Sequence, residues 1–307
     1  MALGLSPVPL RLRLHDRVLV ATDRPLVMGV LNVTPDSFSD GGRHPTAESA
    51  VARAFHMAKE GADLIDIGGE STRPGAEPVT VEEETRRVLP ILERLLEAGF
   101  SLPVSVDTRH AATARLALDR GAHIVNDVSA LSDPGMVSVL LDSGAPAVLM
   151  HMQGEPRTMQ AEPAYRDVVE EVMEGLAEKR DAAVEAGVSP GAIVLDPGLG
   201  FGKRTGGGAE DNCVLLSRLP RLHALGHPLL VGASRKRFIG NLTGAPVESR
   251  MPGSLAAALA AAWAGAAIVR VHDVAETVQA LSVAAALDPS DWSTRWHGDH
   301  DPQVQKP

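Results

Sequence analysis

Short apolar runs recur along the chain, and nearly every one stops abruptly at polar or charged residues. The clearest is residues 27–42, VMGVLNVTPDSFSDGG. Val27 to Val33 carries no charge, as a parallel strand buried on both faces does. Asn32, Thr34, Asp36, Ser37, Ser39 and Asp40 then crowd around Phe38. Pro35 bars further strand, and Gly41-Gly42 frees the backbone. The same pattern returns at residues 63–68 (DLIDIG), 104–107 (VSVD), 123–127 (HIVND), 147–151 (AVLMH), 192–196 (AIVLD), 229–232 (LLVG) and 267–271 (AIVRV). These predict strands two to eight.

Helical spacing fills the intervals. A helix is predicted from Thr46 as N-cap to Glu60, with Val51, Phe55 and Ala58 on one face and Gly61 as stop. Thr80 and Glu83 read as a capping box opening a helix through Val88, Leu92 and Leu95 that closes at Gly99. An Ala-rich helix runs to Arg120, another spans Val168, Val169, Val172 and Leu176, and Asp273 with Glu276 caps a last one through Val278 and Leu281. Eight strand–helix repeats over about 260 residues predict an α/β fold, a (β/α)8 TIM barrel. A doubly wound sheet is the alternative, with fewer strands as a rule. Residues 8–22 alternate and pause at His15-Asp16, which predicts a β-hairpin, expected as a lid outside the main fold. Residues 288–307 are polar and hold Pro289, Pro302 and Pro307, as a frayed tail does; the HGDHD run at 297–301 reads as solvated. The expected division is therefore 1–26, the hairpin segment; 27–287, the catalytic barrel; and 288–307, the tail.

Composition narrows the partners. A net charge of −10 argues against a nucleic-acid backbone. The single cysteine, Cys213, excludes an intramolecular disulfide and fits a reducing compartment, so a cytoplasmic location is expected. No apolar run approaches the roughly 20 residues of a membrane span. The opening MALGLSPVPLRLRL lacks the pattern of a signal peptide. With one Tyr and five Phe, the core must be aliphatic.

In a barrel the strand ends converge on one face. They supply Asn32 and Asp36; Asp66, Thr72 and Arg73; Asp107; Asn126 and Asp127; His151; Asp196; Ser234 and Lys236; Arg270 and His272. Asp107, Asn126 and Asp196 are acceptor-rich and suit a heterocycle with N–H donors on its edge, as a pterin or guanine has, with Lys236 donating to the ring. Asn32, Arg73, Arg270 and His272 suit phosphate oxygens, with Asn32 a candidate oxygen ligand for Mg2+. Asp66, Asp127 and His151 suit structural hydrogen bonds equally well. GLGFGK at 198–203 suggests a phosphate loop but fails the Walker pattern, since Pro197 stands where Gly is required and Arg204 where Ser or Thr is. The histidine spacings do not suit zinc. Residues 204–210, RTGGGAE, are expected to form a flexible surface connection outside the site.

Together, LNVTPDSFSDGG, IDIGGESTRPGA, VSVDT, VNDVSA, LMHMQG, LDPGLGFGK, GASRKRFIG and RVHDV resemble the successive signatures of the dihydropteroate synthase family, in order, from about Val27 to Val274. The resemblance implies an enzyme of folate biosynthesis. Such an enzyme condenses 6-hydroxymethyl-7,8-dihydropterin diphosphate with p-aminobenzoate, giving 7,8-dihydropteroate and diphosphate. It implies a pterin pocket of Asp107, Asn126, Asp196 and Lys236, and a diphosphate grip of Asn32, Thr72, Arg73, Arg270 and His272, with Asn32 acting through Mg2+. It also implies a p-aminobenzoate pocket of Phe38, Thr72, Pro74, Phe201, Lys236 and Arg237. Asp107, Lys236 and Arg270 would be catalytic, and the family implies a homodimer and a sulfonamide target. Many members carry Ser where Arg237 stands; an arginine there could hold the substrate carboxylate or face solvent. Three other readings remain beside it. A methyltetrahydrofolate:corrinoid methyltransferase would share the pterin-facing residues but need no diphosphate grip. A silent relative would bind a pterin without turnover. A sugar-phosphate barrel enzyme would have no affinity for pterins.

Overall fold

The structure, a computed structural model, describes residues 6–34, 47–71, 77–154, 158–159, 161–206 and 209–287. Two short strands, β1 (Arg11–Arg13) and β2 (Val18–Val20), pair antiparallel as the expected hairpin. Eight parallel strands follow. They are β3 (Leu26–Asn32), β4 (Leu64–Gly68), β5 (Val104–Asp107), β6 (Ile124–Asp127), β7 (Ala147–Met150), β8 (Ile193–Asp196), β11 (Leu230–Val231) and β12 (Ile268–Val271). Their order is β11-β12-β3-β4-β5-β6-β7-β8, and a parallel bridge between Leu195 and Leu229 joins the two ends. The barrel is the predicted one, with every strand at or within a residue or so of its expected place.

Helices α1 (Ala47–Lys59), α2 (Val81–Glu97), α3 (Ala111–Asp119), α5 (Val168–Glu185) and α9 (Val274–Ala286) lie where periodicity predicts them. Thr46, the expected cap of α1, lies outside the described residues. Helices α4 (Met136–Ser143), α6 (Asp211–Ser217), α7 (Arg237–Thr243) and α8 (Met251–Trp263) complete the ring. At α2, Thr80 Oγ1 accepts the Glu83 N–H at 3.3 Å, but the Glu83 carboxylate turns to Arg86 and Arg87, so only half of the capping box forms. At α9 the expected Asp273 cap does not form. Its carboxylate is taken by the Arg235 guanidinium, a charged partner that outcompetes backbone N–H groups.

Strand period two sorts the core into two shells. Val27, Leu31, Ile65, Ile67, Val104, Val106, Leu149, Leu195 and Val269 pack outward against the helices. Met28, Leu64, Ile124, Val148, Val194, Leu230 and Ile268 form a separate cluster inside the barrel. All of these lie in the lower part of their strands, and Leu10, Leu12 and Leu14 of the hairpin segment pack onto them. The hairpin is therefore not a lid over the site. It is a plug in the opposite mouth, because its leucines find apolar partners only there. Each buried leucine contributes about 1.5–3 kcal/mol.

Candidate active site

One step further along each inward-facing row the chemistry inverts. Leu64 is followed by Asp66, Ser105 by Asp107, Ile124 by Asn126, Val194 by Asp196 and Ile268 by Arg270. Three strands differ: β7 stays apolar with Met150 above Val148, β3 places Val30 above Met28 before reaching Asn32, and β11 has Gly232 above Leu230. On β4, β6, β8 and β12 the short strand thus places an apolar side chain below and a polar one at the C-terminal mouth, and on β5 both are polar.

Arg270 is the hub. Its Nε donates to Asp66 Oδ2 and one of its terminal nitrogens to Asp107 Oδ2, both at 2.7 Å. Asn126 Nδ2 donates to the same Asp66 oxygen at 2.9 Å. Burial alone would lower the Arg270 pKa, but Asp66 and Asp107 more than offset it, and its pKa is raised. Burial pushes the Asp107 carboxyl up to about 7, against the pull of Arg270 and with help from Asp66. Asp196 is pushed up to about 6 by burial, while its Oδ1 accepts the Gly198 N–H at 2.7 Å. Lys236 is lowered to about 8 by burial and by Arg270. Its ammonium sits 4.0 Å from the centroid of the Phe201 ring, a cation–π contact. Phe201 packs with Val128, Met150 and Met159 as the apolar wall of the pocket.

His272 lies beside this group. Its backbone N–H donates to Ser234 Oγ at 3.2 Å, and its Nδ1 is 3.0 Å from the same oxygen. Burial and then Arg270 lower it to about 3, so the ring is neutral at pH 7. The neutral ring offers one donor and one acceptor nitrogen, and the Ser234 hydroxyl, able to donate or accept, serves Nδ1 in either tautomer. Asn32 ends β3, and its amide oxygen shares with the Asp107 carboxylate the space beside Gly68. A Cβ built there would meet Asn32 Oδ1 at 3.5 Å and Asp107 Oδ2 at 3.6 Å.

The described residues thus bring together Asn32, Asp107, Asn126, Asp196, Phe201, Lys236, Arg270 and His272. Arg237 starts α7 with its side chain exposed. Asp36, Phe38, Thr72, Arg73 and Pro74 lie outside the described residues. Asp127 is structural: it accepts from Ser129 N–H, Ser129 Oγ and Leu131 N–H, bracing a turn with positive φ at Ala130 and Leu131. His151 is structural too, facing Lys203 rather than the pocket.

Lys203 is the residue the sequence reasoning missed. It is fully buried, and its ammonium donates to the carbonyls of Phe201 at 2.9 Å and Gly198 at 3.2 Å, with His151 Nδ1 at 3.1 Å. It ties down the loop that carries Phe201. The glycines of GLGFGK serve backbone approach, not phosphate. Gly198 and Gly202 have φ of +68° and +55°, and a Cβ on either would collide with the carbonyl oxygens of His151 and Gln153 at 1.9 and 2.4 Å. The alternation of Gly with larger residues ahead of a lysine was the available signal. The expected flexible connection after it is in fact a small ladder, β9 (Thr205–Gly206) with β10 (Ala209–Glu210). Arg204 pairs with Asp211, and Asn241 of α7 donates to Thr205.

A parallel barrel with a buried, mixed-charge pocket at its C-terminal mouth defines an enzyme for a polar heterocycle bearing an anionic group. The model of the pterin binding enzyme family matches residues 28–272. The dihydropteroate synthase of Escherichia coli (strain K12) is 48% identical over 262 residues, 85% of this chain and 91% of that protein. The solved structure of Xanthomonas albilineans dihydropteroate synthase with 4-aminobenzoic acid is 53% identical with a TM-score of 0.84, covering 91% of this chain and 98% of that one. That of the Yersinia pestis enzyme with a sulfonamide drug complex has the same TM-score at 44% identity, covering 90% and 98%. The chain belongs to the dihydropteroate synthase family of pterin-binding enzymes. Its reaction is the condensation of 6-hydroxymethyl-7,8-dihydropterin diphosphate with p-aminobenzoate to 7,8-dihydropteroate and diphosphate.

Proposed function

We propose that the pocket divides this reaction between its acidic and basic sides. Asp107, Asn126 and Asp196 accept the N–H groups along the pterin edge, and Lys236 donates to the ring. Arg270 and His272 hold the diphosphate with Thr72 and Arg73, and Phe201 forms one wall for p-aminobenzoate with Phe38 and Pro74. The observation that carries this reading is the convergence of three buried acceptors with Arg270 and Lys236 at one mouth.

An aromatic amine is neutral at pH 7 and a weak nucleophile, so the electrophile must be made strong. Donors aimed at the diphosphate oxygens absorb the charge that develops as the C–O bond loosens. Asp107, ionised, stabilises the cationic character left on the pterin. The cation in turn favours the ionised form of Asp107, whose pKa of about 7 in the free pocket leaves it poised to respond. Burial keeps water from the cation. The Asn32 amide oxygen beside Gly68 is a hard, neutral donor close to the Asp107 carboxylate and would hold Mg2+. When bound, that ion supplies charge for the leaving diphosphate. We further propose a cytoplasmic homodimer that sulfonamides inhibit. No helix among the described residues is long and apolar enough to cross a membrane.

The test is turnover of dihydropterin diphosphate and p-aminobenzoate, with dihydropteroate detected by mass. Product that requires Mg2+ is expected. An Asp107→Asn enzyme within a fewfold of wild type would remove the cation-stabilising role.

A further inference from the structure

Asp66 has no exposed surface, so substrate cannot reach it, yet it touches Asn126 and Arg270, which the proposed function sets against substrate. One oxygen, Oδ2, accepts both the Arg270 Nε–H and the Asn126 Nδ2–H. The other, Oδ1, is buried and makes no hydrogen bond among the described residues. Its hydrogen bonding is thus concentrated on these two partners. We propose that Asp66 is a positioning residue that sets the hydrogen-bonding polarity of the pterin pocket, by holding the Asn126 amide with its carbonyl oxygen toward the substrate. The inference rests on the pterin reading of the pocket and extends it.

The two ends of an asparagine amide have nearly the same shape and opposite chemistry. Nothing in packing alone decides which end faces the ligand. A carboxylate only accepts, so at 2.9 Å it selects the NH2 end and leaves Oδ1 for the pocket. Were the amide turned over, two oxygens would face each other at that distance, and the NH2 would confront the N–H donors of a pterin edge. A pocket built to accept would then repel, and buried polar groups left unpaired are what discriminate between heterocycles. The same oxygen also anchors one point of the Arg270 guanidinium while Asp107 anchors another, so the plane of the cation is set at two points. One buried acid thereby orients a neutral acceptor and a cation on opposite sides of the divided pocket.

The test exchanges the partners. Binding of dihydropterin diphosphate with Mg2+, without amine, is measured by calorimetry for wild type, Asp66→Asn, Asn126→Asp and the double exchange. Wild type that binds no pterin diphosphate would sink the pterin reading itself, and the inference with it. With wild-type binding in place, Asn126→Asp sets two carboxylates face to face, and affinity is expected to fall about 100-fold. Asp66→Asn is expected to lose about 10-fold, since its amide no longer imposes one orientation. The double exchange restores a donor–acceptor pair with the roles reversed and leaves an acceptor at 126 for the pocket, and is expected to return to within about 10-fold of wild type. The KM for p-aminobenzoate should move less than about threefold in the folded variants, which separates positioning from general disruption. A double exchange no tighter than Asn126→Asp overturns the inference, as does an Asp66→Asn protein within about twofold of wild type. The second criterion holds even where Asn126→Asp does not fold.

Discussion

The two mouths of the barrel are built from the same strands and share almost nothing else. At the N-terminal mouth Leu10, Leu12 and Leu14 close a dry cluster with Met28, Leu64, Ile124 and Ile268. At the C-terminal mouth Asp66, Asp107, Asn126 and Arg270 are drawn largely out of water and paired with one another, while buried Asp196 accepts the Gly198 N–H. The two layers are separated by two residues of strand. The lower layer contributes stability that the upper one consumes, since buried charges gain little net free energy even when paired. Function lives at the expensive end because it faces open space on the βα-loop side, where a ligand can replace the missing solvent.

The sharpest way to break that contrast is Arg270→Ala. It strips Asp107 of its charged partner, leaves Asp66 with Asn126 alone, and removes the proposed diphosphate donor. We expect kcat/KM to fall by about three orders of magnitude and diphosphate affinity to drop with it, as read by product inhibition. At the other mouth, Leu12→Ala is expected to cost about 2–5 kcal/mol of unfolding free energy. Both KM values should stay within about twofold at temperatures below its melt, since the plug does not reach the pocket. Denaturant titration beside steady-state kinetics checks the separation.

The pH profile sharpens the contrast further. Asp107 and Asp196 are raised, to about 7 and about 6, so they take up protons as pH falls through that range and cease to be full acceptors. Lys236 is lowered to about 8, so it loses its charge as pH rises past that point. The kcat/KM for pterin diphosphate should therefore be bell-shaped, with an acidic limb between about 6 and 7 and an alkaline limb near 8. A flat profile from pH 5 to 9 would count against all three assignments. The smallest effect belongs to Arg237→Ser. Its side chain is exposed at the start of α7, and we expect the KM for p-aminobenzoate to change by less than about threefold.

The upper layer was legible in the sequence because each strand advertises it: an apolar run that stops at Asp107, Asn126, Asp196 or Arg270. The lower layer was legible as apolar pattern but not as a place. Alternation at residues 8–22 predicts a hairpin, and only tertiary packing decides which mouth it covers. Helix α4 escaped notice because about two turns hold too few repeats of Met136, Val139 and Leu140 to stand out. Asp273 reads as a helix cap until Arg235, 38 residues away in sequence, claims it. Lys203 was tested only as a phosphate ligand. Its true partners are backbone carbonyls, which every sequence has and no motif marks. Asp66 reads equally well as a structural acid or a pocket acid, and only the fold shows that its partners are Asn126 and Arg270.

The ring of strands has one thin place. β3 and β4 are matched over five residue pairs, whereas β8 meets β11 through the single bridge at Leu195 and Leu229, with the Leu195 N–H on the Pro228 carbonyl. Asp196 and Phe201 follow one side of that seam and Lys236 follows the other. A pterin held between Asp196 and Lys236, or an aromatic acid between Phe201 and Lys236, spans the joint as a rivet spans two plates. Occupancy then does mechanical work for the barrel as well as chemical work for the cell. Saturating ligand at a hundredfold its dissociation constant adds about 2.7 kcal/mol to global stability. Amide exchange should slow first and furthest at residues 193–196 and 229–231, so that the enzyme is most firmly closed when it is in use.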